Sequence, residues 1–239
     1  MIKVDLHCHT HHSPDCWTSP RQRVEQALAA GLGGLAITDH NTIDGALEAA
    51  AWADGRLRLI VGQETSTRQG ELLGLFLQQE VPSGLELRDT AELIREQGGL
   101  VYLPHPMAML AWDRVKRRDH GRIIDLVDIV EAVNGRNFIP RHDAMAWAWG
   151  AAAQKALAAS TDAHTSNALG RIYQRIEPFE GPADFLDKMQ RAQLVIERRA
   201  NPLYTALTVL YLYPNLWYRR LYRMLYGRSP VRPETPPPQ

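Results

Sequence analysis

The first chemistry-bearing stretch of the chain is Asp5-Leu6-His7-Cys8-His9-Thr10-His11-His12-Ser13-Pro14-Asp15. A β-strand sends alternate side chains to opposite faces, so His7 and His9 share one face while Leu6, Cys8 and Thr10 take the other. Two imidazoles on one face can share one cation. His-X-His also occurs at exposed strand ends, so the tripeptide gains its weight from what recurs later: Asp39-His40, Glu64, His105-Pro106 and Asp162-Ala163-His164. This set offers imidazole and carboxylate without thiolate. Such donors suit two or three divalent ions (Mn, Zn or Fe) in a hydrolytic centre better than a structural zinc knot.

The elements that must position these residues follow a βαβα rhythm. Ser19 as N-cap, Pro20 at the first helical position and Gly31 as the stop define a helix. Leu35 to Thr38 reads as a short buried strand ending at Asp39-His40, and Ile43 to Ala53 as a second helix. Strands are then expected at Leu57 to Val61, as a pair around Glu71 to Leu77, at Leu100 to Leu103, at Asp128 to Val133 and at Ala156 to Ser160. Helices are expected at Asp89 to Gln97 and Arg141 to Gln154, where Trp147 and Trp149 read as packing residues. Short apolar strands alternating with helices predict a parallel sheet covered on its outer side, and about seven such units predict closure into a barrel. Each candidate ligand then falls at the C-terminal end of a strand, where such barrels carry their chemistry.

A chain of 239 residues with 45% hydrophobic and 23% charged residues has ample material for one large core. Its 27 basic and 27 acidic residues cancel, which excludes a global field drawing it to nucleic acid or anionic lipid. Two cysteines, Cys8 and Cys16, make no disulfide framework, and the N-terminus carries Lys3, Asp5 and His7 where an export signal needs an apolar run. A cytoplasmic location is expected. Residues 1–197 are read as the catalytic barrel and 198–239 as a basic, aromatic extension with a Pro-rich end. That extension holds seven arginines against the single Glu234. Its expected role is packing on the barrel or on a partner protein, with peripheral membrane contact as the alternative.

The motifs DLHCHTHHSPD, ITDHNT, GQE, LPHP and STDAH, in this order over about residues 1–180, resemble those of the PHP (polymerase and histidinol phosphatase) superfamily. The resemblance implies a distorted (β/α)7 barrel of the PHP type with two or three metals. It implies His7, His9, Glu64 and Asp162 around one ion, Asp15, His40 and His164 around a second, and the bridging Glu64 with His105 at a third. Where many relatives have a further histidine at that third ion, this chain has Glu71, which either ligates, favouring a harder ion such as Mn, or is only an edge-strand surface residue.

The implied activity is a metal-dependent phosphoesterase acting on a small phosphorylated metabolite or a nucleotide, with a nucleic-acid end as a further candidate, by attack of metal-bound hydroxide. Asp162 and His105 are the expected catalytic residues. Arg136, Arg171 and Asn134 are the expected substrate contacts, a guanidinium fork matching phosphate oxygens. Glu131, Asn41 and Asn134 are read as either supports for the ligands or local turn residues. His11 and His12 are read as loop residues, with substitution for Asp15 as ligand or contact with substrate as the alternatives; His120 and His142 are read as outside the site, with Arg141-His142 flanking a phosphate pocket as the alternative. Two other classes stay open: an amidohydrolase-like enzyme cleaving a different bond, and a binding or regulatory module with a degenerate site.

Overall fold

The computed structural model describes residues 1–108, 114–165 and 167–199. The extension from residue 200 onward, with its expected packing or membrane role, lies outside the described residues, as does part of the 107–118 loop. Nine strands run β1 Ile2–Asp5, β2 Gly34–Ile37, β3 Arg58–Ser66, β4 Glu71–Leu75, β5 Leu100–Leu103, β6 Ile129–Asn134, β7 Ala156–Ser160, β8 Ile172–Ile176 and β9 Gln193–Ile196. The helices are α1 Pro20–Ala29, α2 Asp44–Ala53, α3 Leu87–Glu96, the short α4 His120–Ile123, α5 Pro140–Ala152 and α6 Gly181–Met189. Helix α1 starts where its sequence says it must. Ser19 accepts from the Gln22 amide while the Gln22 side chain accepts from the Ser19 amide, a reciprocal capping box, and Pro20 follows.

The strands form one sheet in the order β7-β6-β5-β4-β3-β2-β1-β8-β9. The expectation of a uniformly parallel sheet is corrected. β3 pairs antiparallel with β4, β4 with β5, β1 with β8 and β8 with β9, while β1-β2-β3 and β5-β6-β7 are parallel. For the pairing of β3 with β4 the reason is chain length. Only residues 67–70 separate β3 from β4, and a parallel crossover needs a dozen or more residues. β4 also lies between β3 and β5 with every residue buried, so Glu71 is not on an edge strand or the surface.

The barrel is nearly closed, and side chains complete it. Across the seam between β7 and β1, the main chain of the described residues pairs at Cys8 and Ala163, with the His9 amide donating to Ala163 O at 3.0 Å. Beside this, Asp5 accepts from the Thr161 amide at 3.1 Å and the Thr161 hydroxyl at 2.5 Å, and Gln174 Oε1 accepts from the Ala159 amide at 3.0 Å. Each of these buried donors therefore finds a partner where a ladder is missing.

Alternation along the strands sorts the core. In β2, Ala36 faces an interior shared with Val4, Ile60, Leu73, Tyr102 and Ala158, while Leu35 and Ile37 pack outward with Val24 and Ala27 of α1 and Ala46 and Ala49 of α2. Phe185 and Met189 of α6 join the interior cluster and plug the barrel. Helix α6 and strands β8 and β9 were not among the expected elements.

Gly45 on α2 is fixed by how closely that helix approaches the His-rich loop. A methyl there would stand 2.0 Å from Asp39 Oδ2 and 2.4 Å from Thr10 Oγ1. Gly45→Ala is therefore expected to cost about 1–3 kcal/mol by overpacking and to lower the melting temperature by several degrees, read by thermal denaturation. An unchanged transition would show that the Asp39 contacts give way without cost.

Candidate metal centre

All expected ligands converge at one end of the barrel. His7 and His9 lie just past β1, His40 past β2, Glu64 within β3, Glu71 at the start of the reversed β4, His105 past β5, and Asp162 and His164 past β7. His7 Nε2 stands 3.4 Å from Glu64 Oε2 and 3.6 Å from Asp162 Oδ1, and His9 Nε2 stands 3.4 Å and 3.5 Å from the same two atoms. Four donors bound at about 2.0–2.2 Å in a tetrahedron would be separated by roughly 3.3–3.6 Å. The four imidazole–carboxylate edges of this set fall at that spacing. His7 Nε2 and His9 Nε2 are buried and have no hydrogen-bond partner, so their lone pairs fit a cation.

A second group forms where Asp15 Oδ2 lies 3.0 Å from His164 Nε2 and 3.6 Å from His40 Nε2. A third forms on the other edge of the same His40 ring, whose Nδ1 lies 3.2 Å from Glu64 Oε2 and 3.5 Å from Glu71 Oε1, while His105 Nε2 lies 3.1 Å from Glu64 Oε1. Glu64 thus joins the first and third groups, its Oε2 shared by His7, His9 and His40 and its Oε1 facing His105, and Glu71 faces the cluster.

The charge states follow from mutual compensation in a buried space. Burial alone would lower the pKa of His7, but Asp162, Glu64 and Glu131 raise it well above the ordinary histidine value. Burial likewise opposes the rise at His40, where Asp15 and Glu64 prevail, and at His105 and His164, where Glu64 and Asp15 do. His9 goes the other way, to about 4, because burial is joined by His164 and His40. Against their burial, Asp15, Glu64 and Asp162 are held well below the usual carboxylate range, by His164 and His40, by His7 and His40, and by His7 and Arg136 respectively. Burial and the neighbouring Glu64 raise Glu71.

The ligand rings are oriented from behind. His7 Nδ1 donates to Glu131 Oε1 at 3.1 Å, His9 Nδ1 to Ser13 Oγ at 2.9 Å, and His164 Nδ1 to the Asp162 carbonyl at 3.0 Å. Each bond fixes the tautomer that leaves Nε2 free for a metal. Glu131 also accepts from Tyr102 Oη, the His105 amide and Asn134 Nδ2. Asp39, fully buried, accepts from the Thr10 amide and hydroxyl and from the Ser13 amide and hydroxyl. It holds the His-rich loop. Arg23 is fully buried and donates to the carbonyls of His9, Ala163 and Thr165, tying the first and last ligand loops together. His105 and Asp162 have positive φ, 32° and 50°, a conformation tolerated where the surroundings hold it.

Sequence reasoning missed Arg23, Ser13 and Tyr102 as supports. A signal existed for Arg23, an arginine on the stripe that buries Val24 and Ala27, as it did for Glu131, whose support role was one of its two readings and which lies with Asn134 in a strand whose every residue is buried. Glu131→Gln keeps the shape but loses the charge behind His7. It is expected to weaken metal binding about 10–100-fold, measured by competition with a chromophoric chelator. Unchanged affinity would mean that Glu131 only packs.

Among the expected substrate contacts, Arg136 places its Nη1 3.8 Å from Asp162 Oδ1, with its side chain 40% exposed at the mouth. Asn134 gives its amide to Glu131 and Asp162 and takes the Arg136 amide on its oxygen. Arg171 stands at the start of β8, its carbonyl accepting from the Glu197 and Arg198 amides. Asn41 makes a local turn, exchanging bonds with Ser66. His120 bonds the Val115 carbonyl and packs on Trp149, while Trp147 is 44% exposed rather than packed.

The PHP domain family model matches residues 5–197. The chain belongs to the PHP family. An uncharacterized protein of Methanocaldococcus jannaschii is 37% identical over 145 residues, 56% of this chain and 82% of that one. A 5'-3' exoribonuclease of Haemophilus influenzae is 37% identical over 100 residues, 40% of this chain and 36% of its own length. Among solved structures, a two-domain protein of Bacteroides vulgatus containing a predicted PHP-like metal-dependent phosphoesterase superposes with a TM-score of 0.67 at 19% identity. That match covers 82% of this chain, which spans 64% of the two-domain chain. Among the described residues of this PHP chain, no helix is long and apolar enough to cross a membrane.

Proposed function

We propose that the protein is a metal-dependent phosphoesterase acting on a small phosphorylated metabolite or on the phosphorylated end of a nucleotide or short nucleic acid. The observation that carries this reading is the ring of His7, His9, His40, His105, His164, Asp15, Glu64, Glu71 and Asp162 at one barrel end, with one arginine, Arg136, reaching its mouth. His7, His9, Glu64 and Asp162 would hold one divalent ion, Asp15, His40 and His164 a second, and Glu64, His105 and Glu71 a third. Mn, Zn or Fe in these positions supplies an acidified water and neutralises charge on the phosphoryl oxygens.

The chain's own groups do the rest. Arg136 binds non-bridging phosphate oxygens, a role for which its planar fork is suited. Asp162, whose Oδ2 is held by Asn134, takes the proton of the attacking water on Oδ1. His105 has a ligand atom within 4.8 Å of one on Asp162 and, through Nδ1, the ring nitrogen turned away from Glu64, gives the departing oxygen a proton that the one held by Asp162 replaces. Family membership supports the phosphoester class, and similarity to the Haemophilus 5'-3' exoribonuclease supports including a nucleic-acid end.

The deciding experiment incubates Mn-loaded and Zn-loaded protein with phosphomonoesters, nucleotides, 5'-phosphorylated oligonucleotides and amide substrates. Release of phosphate or mononucleotide supports the proposal; turnover of amides alone overturns it. On the preferred phosphoester, Arg136→Ala is expected to lower kcat/KM about 100-fold, or ~3 kcal/mol, with metal content unchanged. Equal kcat/KM would remove Arg136 from the substrate site.

A further inference from the structure

One chemistry-bearing cluster lies outside the centre described above. His11 and His12, on the loop after β1, meet Glu48 on the outward side of α2. One donor atom from each of the three lies within 4.8 Å of those from the other two. His12 Nε2 stands 3.0 Å from Glu48 Oε2, and the His11 and His12 rings lie 4.8 Å apart, tilted by 32°. His11 is 3% exposed.

A simple ion pair between His12 and Glu48 accounts for only part of this. It leaves Glu48 Oε1 buried without a hydrogen-bond donor, and it does not explain why a second, nearly buried imidazole is stacked against the first. A cation satisfies all three groups at once.

We propose that His11, His12 and Glu48 form a further divalent transition-metal site. Two imidazoles and one carboxylate with open positions select Zn, Co or Fe(II) over Mg or Ca. The site ties the loop that carries Ser13 and Asp15 to helix α2, so an ion there braces the ligand loop from outside. It stands independently of the reaction proposed above, because its evidence is a binding count.

The test is equilibrium dialysis of full-length protein against micromolar Zn, followed by metal analysis of wild type, of Glu64→Gln and of each combined with His12→Asn and Glu48→Gln. Loss of one ion per chain from both backgrounds on adding the His12 and Glu48 changes supports the site. Persistence in the Glu64→Gln background of an ion that depends on His12 and Glu48 separates it from the central cluster. Equal ion counts with and without the two changes overturn it, provided that the metal-free melting temperatures match. If the pair of changes unfolds the chain, Glu48→Asp shortens the donor while keeping its charge, and an unchanged Zn affinity in that variant likewise overturns the proposal.

Discussion

Glu64→Gln is expected to abolish hydrolysis, lowering kcat/KM by at least about a thousandfold, equivalent to ~4 kcal/mol of barrier. The amide keeps the shape of the side chain but loses its charge. Glu64 Oε2 stands between His7, His9 and His40 while Oε1 faces His105, so four imidazoles lose their common counter-charge in one substitution. Removing the charge from a bridging ligand weakens more than one ion position, because each depends on the same carboxylate. Metal analysis should therefore show at least one ion fewer than wild type, with the fold intact by circular dichroism. The outcome opposed to this is a variant with wild-type metal content and a rate within tenfold. That result would make Glu64 a packing residue and leave the central cluster without its bridge.

How far the site was legible in the sequence depends on what kind of information each part carries. The candidate ligands are marked locally: His7-X-His9, His40, His105 before Pro106, and Asp162-X-His164 sit at strand ends, and the structure brings them to one barrel end. Helix α1 was equally local, since Ser19, Pro20 and Gln22 fix its start by hydrogen bonding within a single turn. Strand direction is not local. Glu71 to Leu75 reads as a buried run in either orientation, and only the four-residue connection before it requires a hairpin. Strands β8 and β9 and helix α6 were missed, although Gly181-Pro182 offers a recognisable helix start. The supports were the least legible part, because Glu131 meets His7 across 124 residues of sequence and Arg23 reaches Ala163 across 140. Their partners are chosen by the tertiary fold. A buried charge on an apolar stripe announces that a partner exists without saying which one.

Chelation is expected to destabilise the protein, and increasingly so as pH rises. In the metal-free protein His7 and His40 have pKa values well above the ordinary histidine value, and His105 and His164 have raised ones, because carboxylates outweigh the effect of burial. Between the unfolded value near 6.5 and those raised values the native state binds more protons than the unfolded chain. Stability must therefore fall as pH rises through this window. The bound protons are what balance Glu64, Asp15 and Asp162, and their loss leaves buried carboxylates facing one another. His9, lowered to about 4, is neutral in both states above 6.5 and adds nothing there. Divalent ions replace those protons and remove the dependence, while binding more tightly as pH rises because fewer protons must be displaced. Thermal denaturation with and without EDTA should show a metal-dependent gap that widens by roughly 5–10 °C from pH 6 to pH 8.5, given about 2–4 °C per kcal/mol for a chain of this size. A gap that is constant or narrows with pH would mean that the imidazoles do not hold those protons in the metal-free protein. Acidification below about pH 4 should destabilise the chain for the opposite reason, since there the depressed carboxylates take up protons on unfolding.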